Sequence, residues 1–478
     1  MDPFLPAWQL ADMARTREIG CLEALDLAIA RVERLDPQLN AVVVRDFDRA
    51  RTRARVLDNL TQREGPLFGV PMTVKESFDF AGHPTTWGFP HLRHHRASSD
   101  ALAVCRLEAA GAIVFGKTNV PVGLGDWQST NPIYGTTNNP WDLTRTPGGS
   151  SGGGAAACAS GMSALEVGSD IGGSIRVPAH FCGIFGHKPT WGMASPRGHT
   201  TAESAAITDI STIGPLARSV RDLEIALDLI GHPDPEETGM RFKLPPPRSR
   251  TLSELRIAVW AHEPGQATSA ETTALIREAA AFFASGGAHI SHSARPDFDP
   301  VEAYQLFLSL LDAALSSRLP PSAIAHRRQA RDALADEDRS ADATMLRATG
   351  IEHGAWLALN ERRARMRRAW SAFFREWDVL LCPVIATPAF AHHHEGDPMT
   401  RMLEVDGRTT RYNEQLFWPG IIGGFHLPAT VAPLGLSSAG LPIGVQIAGP
   451  VFGDLTTLSV ATMLEAGFRS FHPPPMPV

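Results

Sequence analysis

Eight residues, Pro147-Gly148-Gly149-Ser150-Ser151-Gly152-Gly153-Gly154, set the strongest constraint on what this chain can become. A run so poor in side chains is either a flexible linker or a segment that passes close to other backbone. The apolar stretch behind it, Ala155 to Ala159 and then Met162 to Val167, reads as a buried helix of small residues, which linkers lack. A second glycine-rich motif comes next: Gly168-Ser169-Asp170-Ile171-Gly172-Gly173-Ser174-Ile175-Arg176-Val177-Pro178. Ser174 lies 24 positions beyond Ser150, behind two glycines that let backbone N–H groups converge on a developing negative charge. Such an arrangement suits acyl transfer.

Two shorter patterns compete. A phosphate-binding loop needs Lys-Ser or Lys-Thr after its last glycine, and Gly153-Gly154-Ala155 supplies neither. Gly148-Gly149-Ser150-Ser151-Gly152 matches the G-x-S-x-G elbow, but that turn follows a buried strand, and the preceding Asp142 to Pro147 is polar and proline-broken. A serine nucleophile also needs a base. Of 18 histidines, His91, His94 and His95, and again His392, His393 and His394, fall in polar loops and read as solvated side chains rather than metal ligands. Lysine is the other base, provided burial lowers its pKa. Lysines are scarce, and Lys75 closes the strand-like run Gly69-Val70-Pro71-Met72-Thr73-Val74, which would carry its amine inward. The alternative is a strand-end lysine reaching for solvent.

The rest of the chain frames these motifs. Its 478 residues would make about three average domains, a ratio that single large folds exceed. A net charge of -7 speaks against nucleic acid or an anionic membrane as partner. Cys21, Cys105, Cys158, Cys182 and Cys382 are odd in number and scattered, so a reducing cytoplasm is expected rather than a disulfide framework. No secretory signal is legible at the start. Gln415 to Gly453 carries no charge, yet Pro419, Gly423, Gly424, Pro428 and Pro433 break it into core strands and turns rather than a membrane span.

Helical spacing runs from Trp8 to Leu35 with a junction near Gly20. Leu67 to Val74 reads as a strand, Ser99 to Ala110 as a helix, and Ala112 to Phe115 as a second strand, which is βαβ material. A strand is expected at Leu255 to Trp260 and an almost wholly helical stretch from about Ala270 to Trp377. Strands then return at Asp378 to Val384 and Ala429 to Ile447.

Taken together, Gly69 to Glu76, Gly148 to Gly153 and Gly168 to Ala179 resemble the amidase signature family of serine hydrolases. The likeness extends through Phe181 to Thr190 and, more loosely, to Leu381-Cys382-Pro383 and Gly440 to Gln446. It implies one α/β/α sandwich with a mixed central sheet spanning residues 1–478. Residues 60–230 and 378–470 would form the sheet core, and 265–375 a mainly helical excursion beside the pocket. The family's nucleophile falls on Ser174, its bridging serine on Ser150, after a cis peptide from Gly149, and its lysine on Lys75. Its oxyanion hole falls on the backbone N–H groups of Ile171, Gly172, Gly173 and Ser174. Asp170 and Arg176 could touch substrate, but an ion pair that holds this loop is the expectation, with no cofactor and no metal required.

The resemblance implies an amidase that cleaves a carboxylic amide through an acyl-enzyme but fixes the bond and not the substrate; the apolar candidates of the variable segments lead to the expectation of a small apolar or aryl amide, with esters and carbamates also open. Leu124, Trp127, Ser151, Phe417, Trp418 and Ile421 are candidate pocket residues, although Phe417 and Trp418 read equally well as core aromatics. Two rivals stand beside this: the glutamine-hydrolysing component of the tRNA-dependent amidotransferase, and an inactive binding protein. The run Arg362-Arg363-Arg365-Arg367-Arg368 could be offered as a nucleic-acid contact but reads better as a solvated helix face. A small-molecule amide is thus the expected partner, and a homodimer is compatible with the family.

Overall fold

A computed structural model describes residues 1–201, 206–237, 239, 241–396 and 400–476. Its frame is an 11-stranded sheet. One half runs in the order Val42–Arg45, Ile113–Thr118, Pro71–Lys75, Leu165–Asp170, Thr212–Ala217 and Phe185–Lys188. The other half continues with Ala429–Leu436, Pro442–Ala448, Val379–Pro383, Arg256–Val259 and His289–Ser291. Both parallel and antiparallel pairings occur along it, so the sheet is mixed, and helices cover both faces.

Side chains sort by the two-residue period of a strand. Met72 and Val74, Leu165 and Val167, Ile257 and Val259, and Val379 and Leu381 join the core on one face. Ala258, Leu380 and Cys382 join the core on the other, against the helices Arg176–Cys182, Pro300–Ser316 and His353–Glu376. Thr73 and Lys75 alternate with the first set and so share the second face with Glu166 and Asp170. Thr73 Oγ1 donates to Glu166 Oε2 at 2.5 Å across that face.

Three elements differ from the sequence reading. The helix of small residues spans Gly152–Ala159 and stops at Gly161, whose φ is +73°. Leu165–Asp170 is a fully buried strand instead of the helix's continuation. A short apolar run buried on both faces has no period that tells strand from helix, which explains the difference. Within the helical stretch, His289–Ser291 adds an edge strand parallel to Arg256–Val259. Its neighbours are helical: Ala270–Ser285, Pro300–Ser316, Pro321–Asp332, Ala341–Ala348 and His353–Glu376. The N-terminal pair, Ala7–Thr16 and Cys21–Leu39, meets at Gly20.

The charge-free stretch supplies the helix Phe417–Gly423 and the strands Ala429–Leu436 and Pro442–Ala448. No described helix is long and apolar enough to cross a membrane. All five cysteines are free thiols.

Candidate active site

Parallel pairing of Pro71–Lys75 with Leu165–Asp170 aligns Thr73 with Glu166 and Val74 with Val167, so both strands end on the same side of the sheet. Ligands in such folds gather beyond the carboxyl ends of parallel strands. Lys75 is the last residue of its strand and is fully buried. Its Nζ lies 2.6 Å from Ser150 Oγ and 3.0 Å from Ser169 Oγ. Burial pushes its pKa down from 10.5 to about 7, although the nearby Asp170 and Glu166 carboxyls pull the other way. Burial likewise raises Glu166, against hydrogen bonds from Thr73 and Thr118. An amine of this kind is a usable base at neutral pH.

The glycine run reaches Lys75 because it has no side chains to hold it off. A Cβ on Gly149 would stand 2.3 Å from the Asp126 carbonyl oxygen, and one on Gly153 would stand 2.4 Å from the Asn119 nitrogen. The segment is therefore packed backbone rather than linker. Its Gly149–Ser150 peptide is cis.

Ser174 follows the strand Leu165–Asp170 through a turn organised by Asp170. That carboxylate accepts from Gly173 N at 2.8 Å, Ile175 N at 3.1 Å, and Arg176 Nε and Nη2 at 2.9 and 2.8 Å. Burial favours the neutral acid, but the Arg176 guanidinium outweighs it and holds the carboxyl well below the usual carboxylate range. Arg176 reaches further, to Pro419 O at 2.9 Å and Gln446 Oε1 at 2.5 Å. One expectation is corrected here: the Gly173 N–H is spent on Asp170 and is not free for an oxyanion. The N–H groups of Ile171, Gly172 and Ser174 have no protein acceptor among the described residues.

Ser150, Ser169, Ile171 and Ser174 line one cavity. Ser151 N donates to Ser174 O at 3.1 Å, tying the two motifs together, while Ser150 and Ser174 make no direct side-chain hydrogen bond.

Of the six pocket candidates, Leu124 lines this cavity. Trp127 does not: its Nε1 donates to the Gly172 carbonyl at 3.2 Å, so it braces the turn from behind. Ser151 is fully buried against Ser169. Phe417, Trp418 and Ile421 sit inside the core; Phe417 and Trp418 stack edge-on at 4.9 Å and both meet the ring of Trp260. Their apolarity serves packing, which sequence could not tell from a pocket wall. Of the loop histidines, His392 is partly buried with its Nε2 2.9 Å from Asn138 Oδ1, whereas His91, His94, His393 and His394 are exposed. Arg363 is not solvated but buried against Asp209 at 2.8 Å. Trp87, His199, Thr208 and Arg318 complete the cavity from distant loops, with no motif to announce them.

Comparison with known proteins agrees with this geometry. The Amidase family model matches residues 23–458. A glutamyl-tRNA(Gln) amidotransferase chain of Synechococcus sp. (strain CC9902) is 31% identical, over 96% of this chain and 95% of its own length. An indoleacetamide hydrolase of Bradyrhizobium diazoefficiens is 30% identical, over 96% of this chain and 87% of its own. Among solved structures, a 6-aminohexanoate cyclic dimer hydrolase complexed with substrate superposes with a TM-score of 0.78 at 28% identity, covering 98% of each chain. The sheet, the two glycine-rich motifs meeting at a buried lysine, and these matches lead to one assignment: the chain belongs to the amidase signature family.

Proposed function

We propose that this protein is an amidase that cleaves the C–N bond of a small carboxylic amide through an acyl-enzyme on Ser174. The observation that carries this reading is the hydrogen bond from buried Lys75 to Ser150 inside the cavity that Ser174 lines. Neutral Lys75 takes a proton from Ser150 as Ser150 takes one from Ser174, whose oxygen attacks the acyl carbon. This relay requires Ser174 Oγ to come within hydrogen-bond reach of Ser150 Oγ. The N–H groups of Ile171, Gly172 and Ser174 receive the oxyanion; one such donor is worth about 3 kcal/mol in the transition state. The relay then runs backwards: Ser150 gives a proton to the departing amine and is reprotonated by Lys75. Water enters by the same route and releases the acid. No cofactor is needed for any step.

The cavity walls offered by Leu124, Ile171, Ile207 and Leu315 support an apolar or aryl group near the scissile bond. A second reading, hydrolysis of glutamine as one component of a tRNA-dependent amidotransferase, is favoured by the names of several relatives. The test is the purified chain, alone, with a panel of anilides and primary amides. Turnover without partner proteins supports the free-standing amidase, and activity confined to glutamine in the presence of partners supports the other.

A further inference from the structure

Arg318 lines the cavity from an exposed position two residues past the end of the helix Pro300–Ser316. Its guanidinium lies 5.1 Å from the ring centroid of Trp87 and donates to Thr208 Oγ1, so two separate loops fix its direction. Trp87 is itself held: its backbone N–H donates to buried Glu76 at 3.0 Å. Among the described residues Arg318 forms no ion pair, and desolvation lowers its pKa with no carboxylate to offset it. No Asp or Glu lines the cavity among the described residues. Asp209, beside Thr208, is committed to Arg363 at 2.8 Å and to His426 at 3.4 Å. Burial first, and then the neighbouring Lys75 and Arg318, hold the His199 imidazole well below its usual pKa.

The described lining thus sets one guanidinium in the same cavity as Ser150 and Ser174 and the apolar side chains of Leu124, Ile171, Ile207 and Leu315. We infer that the substrate is an amide bearing a carboxylate, which docks on Arg318 while its carbonyl reaches Ser174. A guanidinium fixed by a ring and a hydroxyl suits a planar carboxylate. A substrate ammonium would meet Arg318 and, among the described residues, no acid to receive it. This inference rests on Ser174 as nucleophile and deepens the substrate reading above.

The test compares kcat/KM for three anilides of equal chain length: pentananilide, glutaric acid monoanilide, and γ-glutamyl anilide, which adds an ammonium. The expected order places the monoanilide about tenfold or more above the neutral amide, with that advantage shrinking as salt rises. The γ-glutamyl compound should fall below the monoanilide. In Arg318→Gln the ratio of anionic to neutral substrate should drop about tenfold, and Arg318→Lys should keep part of it. A wild-type ratio near one, a ratio unmoved by Arg318→Gln, or a preference for the ammonium-bearing amide overturns the inference. If neutral anilide still forms an acyl-enzyme in those cases, the amidase reading stands; if no anilide acylates the protein, both fall.

Discussion

Lys75 Nζ lies 2.6 Å from Ser150 Oγ, and the amine that makes this contact has been stripped of water by complete burial. An ammonium there has no lone pair with which to take a proton, so the contact becomes a relay only when Lys75 is neutral. Burial lowers its pKa to about 7, so the neutral fraction grows as pH rises through that value. kcat/KM should therefore climb from pH 6 to pH 8 and level off. A free imidazole titrates near about 6.5, so the limb alone does not name the base. Lys75→Ala should lose most activity, and Lys75→Arg should not restore it, because a guanidinium stays protonated. Near-wild-type rates in folded Lys75→Ala would remove the lysine from the mechanism.

Trp127 tests whether the turn beneath the oxyanion site needs its brace. Trp127→Phe keeps a ring but deletes the donor to the Gly172 carbonyl. A hydrogen bond of this kind is worth about 1 kcal/mol, so kcat should fall about fivefold with KM little changed. Steady-state kinetics on one anilide read this directly. A rise in KM with constant kcat would return Trp127 to the pocket wall.

Asp170 and Arg176 are both wholly buried, so breaking the pair strands a charge. Asp170→Asn should cost about 3–5 kcal/mol of stability. Thermal unfolding should show a Tm several degrees lower, and Asp170→Asn combined with Arg176→Met should recover part of the loss. An unchanged Tm in the single variant would mean that the pair does not hold the turn.

Leu124 and Phe417, equal candidates in the sequence, should now behave differently. Leu124 lines the cavity, so Leu124→Ala should flatten the gain of about 0.8 kcal/mol per methylene expected along an acyl-chain series. Phe417 is core, so Phe417→Ala should cost about 3–5 kcal/mol of stability and leave the chain-length preference alone. Chain-length profiles and melting curves for both variants decide the matter.

These contrasts mark what could be read from the sequence. Strand ends and glycine-rich turns have local signatures, so Lys75, Ser150 and Ser174 stood out before any fold was known. Leu165–Asp170 was misread because a strand covered on both faces carries no alternation. Gly173 looked like a free oxyanion donor until Asp170, three residues before it in sequence, turned out to hold its N–H. Trp87, His199 and Arg318 carry no sequence signature as site residues, because they come from three loops that only the assembled fold brings together. Phe417 and Trp418 show the converse: apolar side chains that pack in a core or line a pocket are the same in sequence and are separated only by what surrounds them.

The mechanism turns on which oxygen becomes covalently bound. Incubation with a serine-reactive aryl phosphonate, followed by intact mass and peptide mapping, should show a single adduct on Ser174, absent in Ser174→Ala. In Ser150→Ala it should form slowly but measurably, since nucleophile and backbone donors remain. An adduct on Ser150, or one that persists in Ser174→Ala, would contradict the mechanism.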